Sequence, residues 1–309
     1  MVVGAILLTG ASLTASVLFM QVAVLPLMFR YSKTVQRKMV FSNCINYPKN
    51  LDFENPASCN VMGGRNFSIE FESKVDNCPI KLGIWHLVPC SVFRELISSC
   101  DENTLCDRLH TELQNTKNTI VLYCHGNSNH RASPHRLQMY KVFQDLNFHV
   151  IAFDYRGTAI ASNLVANLEE LCTTSHYKSM PTPDALVLEA PFNNLLDEIE
   201  KHPFSKLVSW LPYYRSSFVK PFSTSSEYSF TTDEYLARVT GLPVLMLHSK
   251  GDRIVPYKLA VKLYDCVAQS RSECGGALQF HAFDKGHNDL CEAIELPQIV
   301  RNFLNIIKK

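Results

Sequence analysis

Near the end of the chain an acid and a base occupy equivalent positions, each just past a short apolar run. Asp252 lies in His248-Ser249-Lys250-Gly251-Asp252-Arg253-Ile254-Val255-Pro256, after the run 243–248, and His287 lies in Lys285-Gly286-His287-Asn288-Asp289, after the run 278–282. A carboxylate beside an imidazole sets its tautomer and stabilises its protonated form, so the two could serve as orienter and general base. Each also has a plainer reading. Asp252 could cap the helix that follows it, and a loop histidine is more often exposed or simply hydrogen-bonded. The whole string, strand then GDRIVP then helix, is more specific than either part. His125-Gly126-Asn127 follows another run, 119–124. At the carboxyl end of a strand, a His-Gly pair leaves backbone N–H groups pointing into the crevice, which is how half an oxyanion hole is built.

Such a set needs a nucleophile, and the place to seek one is 148–168. Val150, Ile151, Ala152 and Phe153 read as a buried strand, Gly157 as a sharp turn, and Ala159, Ile160, Leu164, Val165 and Leu168 recur at helical spacing. A strand-to-helix turn can carry a G-x-S-x-G elbow. No G-x-S-x-G occurs anywhere in the 309 residues. Tyr155 falls at the nucleophile position if Gly157 is taken as the elbow's last glycine, but its bulk and high pKa make it a poor copy of an activated serine. Ser128 belongs to the strand of His125, and Ser12 lies in an apolar stretch. None of them replaces the missing hydroxyl.

The elements that would position these residues alternate. Strands are expected at 67–71, 80–88, 119–123, 150–154, 185–189, 243–248 and 278–282. Helices are expected at 134–146, 158–172, 195–201, 257–270 and 297–308. The pattern predicts an α/β fold, a mostly parallel sheet with helices on both faces. The polar stretch 91–117 reads as an excursion between strands. Residues 202–232 hold Phe204, Trp210, Leu211, Tyr213, Tyr214, Phe218 and Phe222 among prolines and serines. This insertion reads as a lid shaping an acyl pocket with Trp210, Tyr213 and Tyr214, or equally as a surface loop burying its aromatics at the sheet edge.

Thirty Lys and Arg against 29 Asp and Glu give a net charge of +1, which makes no case for a nucleic-acid partner. Residues 1–29 carry no charged side chain and exceed the ~20 residues that a membrane-spanning helix needs. The basic n-region of a signal peptide is absent, so a single uncleaved anchor is expected. Arg30, Lys33, Arg37 and Lys38 follow the span and place the domain in the cytosol by the positive-inside rule. The sequon Asn66-Phe67-Ser68 has meaning only in a lumenal compartment. The orientation is left open between the two. Eleven cysteines show no CxxC pair and no metal spacing, and neither metal nor cofactor is expected. Cys59, Cys78, Cys90, Cys100 and Cys106 could pair if the domain is lumenal. The expected division is an anchor at 1–29, a membrane-proximal linker and cap at 30–65, and a catalytic-type domain at 66–309 that includes the 202–232 insertion.

Several further strings bear on the whole. They are Val24-Leu25-Pro26-Leu27 with Val35-Gln36-Arg37, Ile84-Trp85-His86, and Leu122-Tyr123-Cys124-His125-Gly126-Asn127. Tyr140-Lys141-Val142, Phe153-Asp154-Tyr155-Arg156-Gly157, Pro183-Asp184-Ala185-Leu186, Glu189-Ala190-Pro191-Phe192 and His202-Pro203-Phe204-Ser205 continue the series. Together with the acid loop and His287, the chain resembles the α/β-hydrolase superfamily, and within it the membrane-anchored lipases of lysophosphatidylserine and monoacylglycerol. The resemblance implies a triad acid at Asp252, a triad base at His287, an oxyanion donor at Asn127, a lysophospholipid or monoacylglycerol substrate, and an endoplasmic reticulum membrane.

The departure from that family is the elbow. In the family a helix, a strand and the elbow separate Asp-Tyr-Arg-Gly from the helix that Thr158-Ala159-Ile160-Ala161-Ser162-Asn163-Leu164 resembles. Here Gly157 runs straight into Thr158, so roughly 30 to 40 residues are missing by usual element lengths. The lost strand is central, between the strand ending at Cys124 and the one at 185–189. The expectation is an internally deleted hydrolase core of lowered stability, with strand 150–154 free to move into the vacant slot. Its ester hydrolysis is expected to be absent or severely impaired. The alternative expectation is a non-catalytic form that binds lipid or a protein partner through the aromatic segment.

Overall fold

The computed structural model describes residues 12–41, 46–72, 79–99, 102–126, 128–154, 160–168, 170, 182–224, 228, 230–271 and 275–307. In chain order these form α1 (Ser12–Tyr31, with a π-helical turn at Met20–Val24), α2 (Lys33–Val40), β1 (Gly64–Glu72), β2 (Pro79–Leu87), α3 (Cys90–Ser99) and α4 (Glu102–Asn115). Next come β3 (Ile120–Cys124), α5 (Pro134–Asp145), β4 (His149–Phe153), α6 (Ile160–Ala166), β5 (Leu186–Glu189) and α7 (Leu195–Lys201). The chain continues through α8 (Lys220–Ser223), α9 (Thr232–Arg238), β6 (Val244–Ser249), α10 (Tyr257–Ser270), β7 (Leu278–Phe283) and α11 (Leu296–Ile307).

Two compact units result. One holds Phe41–Ala161 and Asn288–Lys309, the other Met1–Val40 and Ser162–His287. The first contains a four-stranded sheet in the order β1-β2-β4-β3. Its β1-β2 and β2-β4 pairs are antiparallel and β3-β4 is parallel, with Val121 opposite Val150 and Cys124 opposite Phe153. Val150 and Ala152 of β4 are fully buried. Asp154, just past β4, accepts Arg131 N–H at 2.6 Å and also pairs with the Arg131 guanidinium, which lies 4.6 Å and 5.0 Å from the ring centroids of Phe53 and Trp85. That cluster ties the loop after β3 to the end of β4.

The second unit contains β5-β6-β7, parallel throughout, with Leu186 opposite Val244 and Val244 opposite Leu278. All six residues of β6 are buried, as expected of a parallel strand covered on both faces. Leu259, Ala260, Leu263 and Val267 form the buried stripe of α10. Asn194 caps α7 by accepting Asp197 N–H at 2.9 Å.

Four expectations change. The expected single sheet is two separate ladders. β4 has not moved. Its residues pair with both β2 and β3, and a shift would forfeit one of those ladders. Among the described residues, no strand pairs with the outer side of β3 or of β5. Apolar side chains are bared on both, Ile120 and Leu122 at 51% and 52% exposure and Val187 at 37%. The supposed excursion 91–117 folds as α3 and α4, because Leu105, Leu109 and Leu113 recur every four residues and Leu109 is buried. Cys59 and Cys90 are free thiols. Cys78 and Cys100 lie outside the described residues, as do Tyr155 and Gly157 at the join.

Candidate active site

β6 and β7 run side by side with Ser249 opposite Phe283, so the loops leaving their carboxyl ends start together. Lys250 N–H donates to the Phe283 carbonyl at 2.8 Å. A Cβ on residue 251 would lie 2.7 Å from the Lys285 carbonyl oxygen, so Gly251 is what lets the two loops touch. The acid follows Gly251 directly and the base lies two residues beyond Lys285. His287 Nδ1 is 2.7 Å from Asp252 Oδ2. The other oxygen, Asp252 Oδ1, accepts the N–H groups of Ile254 and Val255, both at 2.8 Å. Pro256, not Asp252, stands at the N-cap of α10, which disposes of the capping alternative.

The two groups hold each other charged. Burial pushes the Asp252 carboxyl up, but the hydrogen bond and charge of His287 and the two backbone N–H groups outweigh it, leaving the pKa below the ordinary carboxylate value. Burial pushes His287 down, and the hydrogen bond and charge of Asp252, with the charges of Glu189 and Glu198, outweigh that and raise it. Among the described residues the hydrogen bond of His287 goes to Asp252, and no hydroxyl bonds to its ring. Asp252→Asn should therefore lower the His287 pKa, which an NMR titration of the imidazole carbons reads directly. A raised histidine pKa adds stability that is complete below the unfolded value of about 6.5 and is lost as pH rises through the folded one. An unchanged titration in the variant would mean that Asp252 does not hold the imidazolium.

Two further groups belong to this cluster. Glu198, on α7, is 9% exposed and its Oε2 has no hydrogen-bond partner among the described residues. Burial, then the negative charge of Asp252, pushes its pKa from 4.5 up to about 7, against a downward pull from His287. His248 is fully buried, donates from Nδ1 to the Ser249 carbonyl at 3.0 Å, and places Nε2 4.0 Å from Asp252 Oδ2. Burial lowers its pKa below the ordinary imidazole value. Sequence reasoning missed both. The one available signal for Glu198 was its spacing three residues after Leu195, on the buried face of α7.

Glu198 predicts a pH dependence. An acid with a raised folded pKa makes the native state bind more protons than the unfolded one, so its contribution is complete below pH 4.5 and is lost as pH rises through about 7. Glu198→Gln removes that slope, a difference of at most about 3 kcal/mol by linkage. Urea denaturation of both forms between these pH values checks it, and parallel stability curves would count against the assignment.

Asn127 lies outside the described residues. Beside it, His125 is buried with Nε2 3.5 Å from Asp154 Oδ1. Tyr214 is buried, donates to the Ile199 carbonyl at 3.2 Å, and lines an open hollow of about 310 Å³ with Glu200, Lys201, Leu211 and Arg215. Trp210 and Tyr213 do not line it. Asn66 sits on β1, at the edge of its sheet, donating to Glu54 at 2.7 Å and accepting from Arg131 at 3.1 Å.

An acid after one parallel strand, hydrogen-bonded to a base after the next, is the arrangement in which hydrolases hold a triad's acid and base, and the protein has the α/β-hydrolase fold. No family model matches the chain. It is 31% identical to lysophosphatidylserine lipase ABHD12 of Mus musculus over 325 aligned positions, covering 91% of this chain and 76% of that one. It is 29% identical to the Danio rerio protein of the same name, covering 91% and 80%. The chain belongs to this lipase family. Among solved structures, the Pyrococcus furiosus esterase Pf2001 matches at a TM-score of 0.49 and 17% identity, covering 84% of this chain and 97% of that one. Since 91% of 309 residues is about 281, about 44 of the 325 positions aligned with the mouse relative have no residue of this chain opposite them.

Proposed function

We propose that the chain is a lysophosphatidylserine-lipase scaffold that keeps its acid and base, binds a lysophospholipid or monoacylglycerol, and does not turn the ester over. The observation that carries this is a formed Asp252–His287 pair in a sequence with no G-x-S-x-G. In a serine hydrolase the base takes the proton of the attacking serine, the alkoxide adds to the ester carbonyl, and an acyl-enzyme follows. His287 has the charge environment for that proton and no hydroxyl to take it from among the described residues. The absence of G-x-S-x-G and the bared apolar side chains of β3 and β5 support an internal deletion that removed the elbow strand.

The N-terminal helix, described from Ser12 to Tyr31, is long and apolar enough to cross a membrane by length and composition, which supports a single-pass anchor within the uncharged run 1–29. The family resemblance favours the endoplasmic reticulum. Fatty-acid release from lysophosphatidylserine in detergent micelles is the decisive assay. The expected rate is that of buffer alone, and release that saturates with substrate would overturn the reading.

A further inference from the structure

Helix α1 changes character part-way along. Every residue from 12 to 20 is exposed, whereas residues 21 to 26 are half-buried or buried. The cause is the segment after α7. Val22, Leu25 and Phe29 pack against a cluster of Val208, Leu211, Tyr214, Phe218 and Val219, with the Phe29 and Phe218 ring centroids 4.9 Å apart. Polar tips converge at the same level. Gln21 Nε2 and Trp210 Nε1 both donate to the Leu207 carbonyl, the second at 3.0 Å, and the Tyr213 hydroxyl donates to the Val22 carbonyl. The segment is thereby fastened to the helix, yet three of its large apolar side chains face outward. Phe204 is 68% exposed, and Leu207 and Trp210 are 59% exposed. Exposed apolar side chains continuous with an apolar helix mark an interaction surface.

The length of the helix says what covers them. A span takes ~20 residues, and residues 1–20 carry no charge. The next part of the uncharged run, from Gln21, is the part the protein itself packs against. An indole with its N–H satisfied and its ring exposed is also the side chain that collects at the headgroup level of a bilayer. We propose that the membrane–water interface crosses α1 at Gln21 and that Phe204, Leu207 and Trp210 insert into it. The domain then rests on lipid through this segment as well as hanging from its anchor. The proposal rests on the anchoring reading above.

The chain has two tryptophans, and Trp85 is fully buried, so Trp210 reports on the surface. The full chain and Trp210→Phe are reconstituted in phosphatidylcholine vesicles carrying bromine either just below the headgroups or at the chain ends. Flotation is scored alongside tryptophan quenching. The expected result is that both forms float, that the shallow bromine quenches wild type more strongly than the deep one, and that most of this quenching is lost in Trp210→Phe. Flotation with quenching unchanged by the substitution, or with neither bromine quenching wild type, overturns the insertion and leaves the anchor standing. Failure of wild type to float overturns both.

Discussion

A fluorophosphonate probe should leave the purified chain unlabelled, and its esterase rate should fall about a million-fold below that of a relative carrying the serine. Such is the scale of loss when a triad nucleophile is removed and its partners remain, because the three residues act as a unit. The residual rate left by an intact oxyanion hole and binding site is at most about 10³–10⁴ over water. The control is a chimera. Inserting between Gly157 and Thr158 a helix, a strand and a G-x-S-x-G elbow, as the family resemblance implies, should bring both labelling and turnover. Asp252→Asn in the chimera abolishes them again. Labelling of the unmodified chain at any serine would contradict the proposal, and mass spectrometry of the labelled peptide would identify the substitute.

The same chimera should be more stable by about 3 kcal/mol. Ile120, Leu122 and Val187 are between 37% and 52% exposed on strands whose outer sides pair with no strand among the described residues. Fully burying such a side chain is worth about 1.5–3 kcal/mol, so finishing the job on three half-exposed ones gives roughly 1 kcal/mol each. In a protein of this size that corresponds to a rise of about 5 °C in Tm. Restoring ladder hydrogen bonds on β3 and β5 adds to it, and removing two open edges lowers the tendency to aggregate. Differential scanning calorimetry with dye binding to exposed apolar surface measures both. A chimera that melts where the parent does and binds as much dye would show that the bared edges are not where stability was lost.

Much of the acid–base pair was legible in the sequence because its logic is local. Asp252 and His287 each follow a run that reads as a parallel strand, and such strands end on one side of their sheet. Gly251 and Gly286 marked the loops as turns. The missing serine was legible in the plainest way, as a motif that is not there. Glu198 and His248 were not legible. Nothing in a sequence says that the buried face of α7 and the last turn of β6 meet the same carboxylate, since their contact depends on the packing of elements about fifty residues apart. Residues 91–117 were misread because their polar composition masked a four-residue leucine repeat.

What the sequence determined by itself is therefore the fold class, the absence of any G-x-S-x-G string and the presence of an apolar N-terminal run. Each of these follows from residue type, order and period, which folding does not alter. The tertiary structure alone decided that the sheet is two ladders, that β4 keeps its place, and that the aromatic stretch after α7 packs against α1. It also decided which of that stretch's aromatics are buried and which face outward. Those outcomes depend on which surfaces compete for the same partner, and a hydrophobic side chain names no partner until the chain has closed around it.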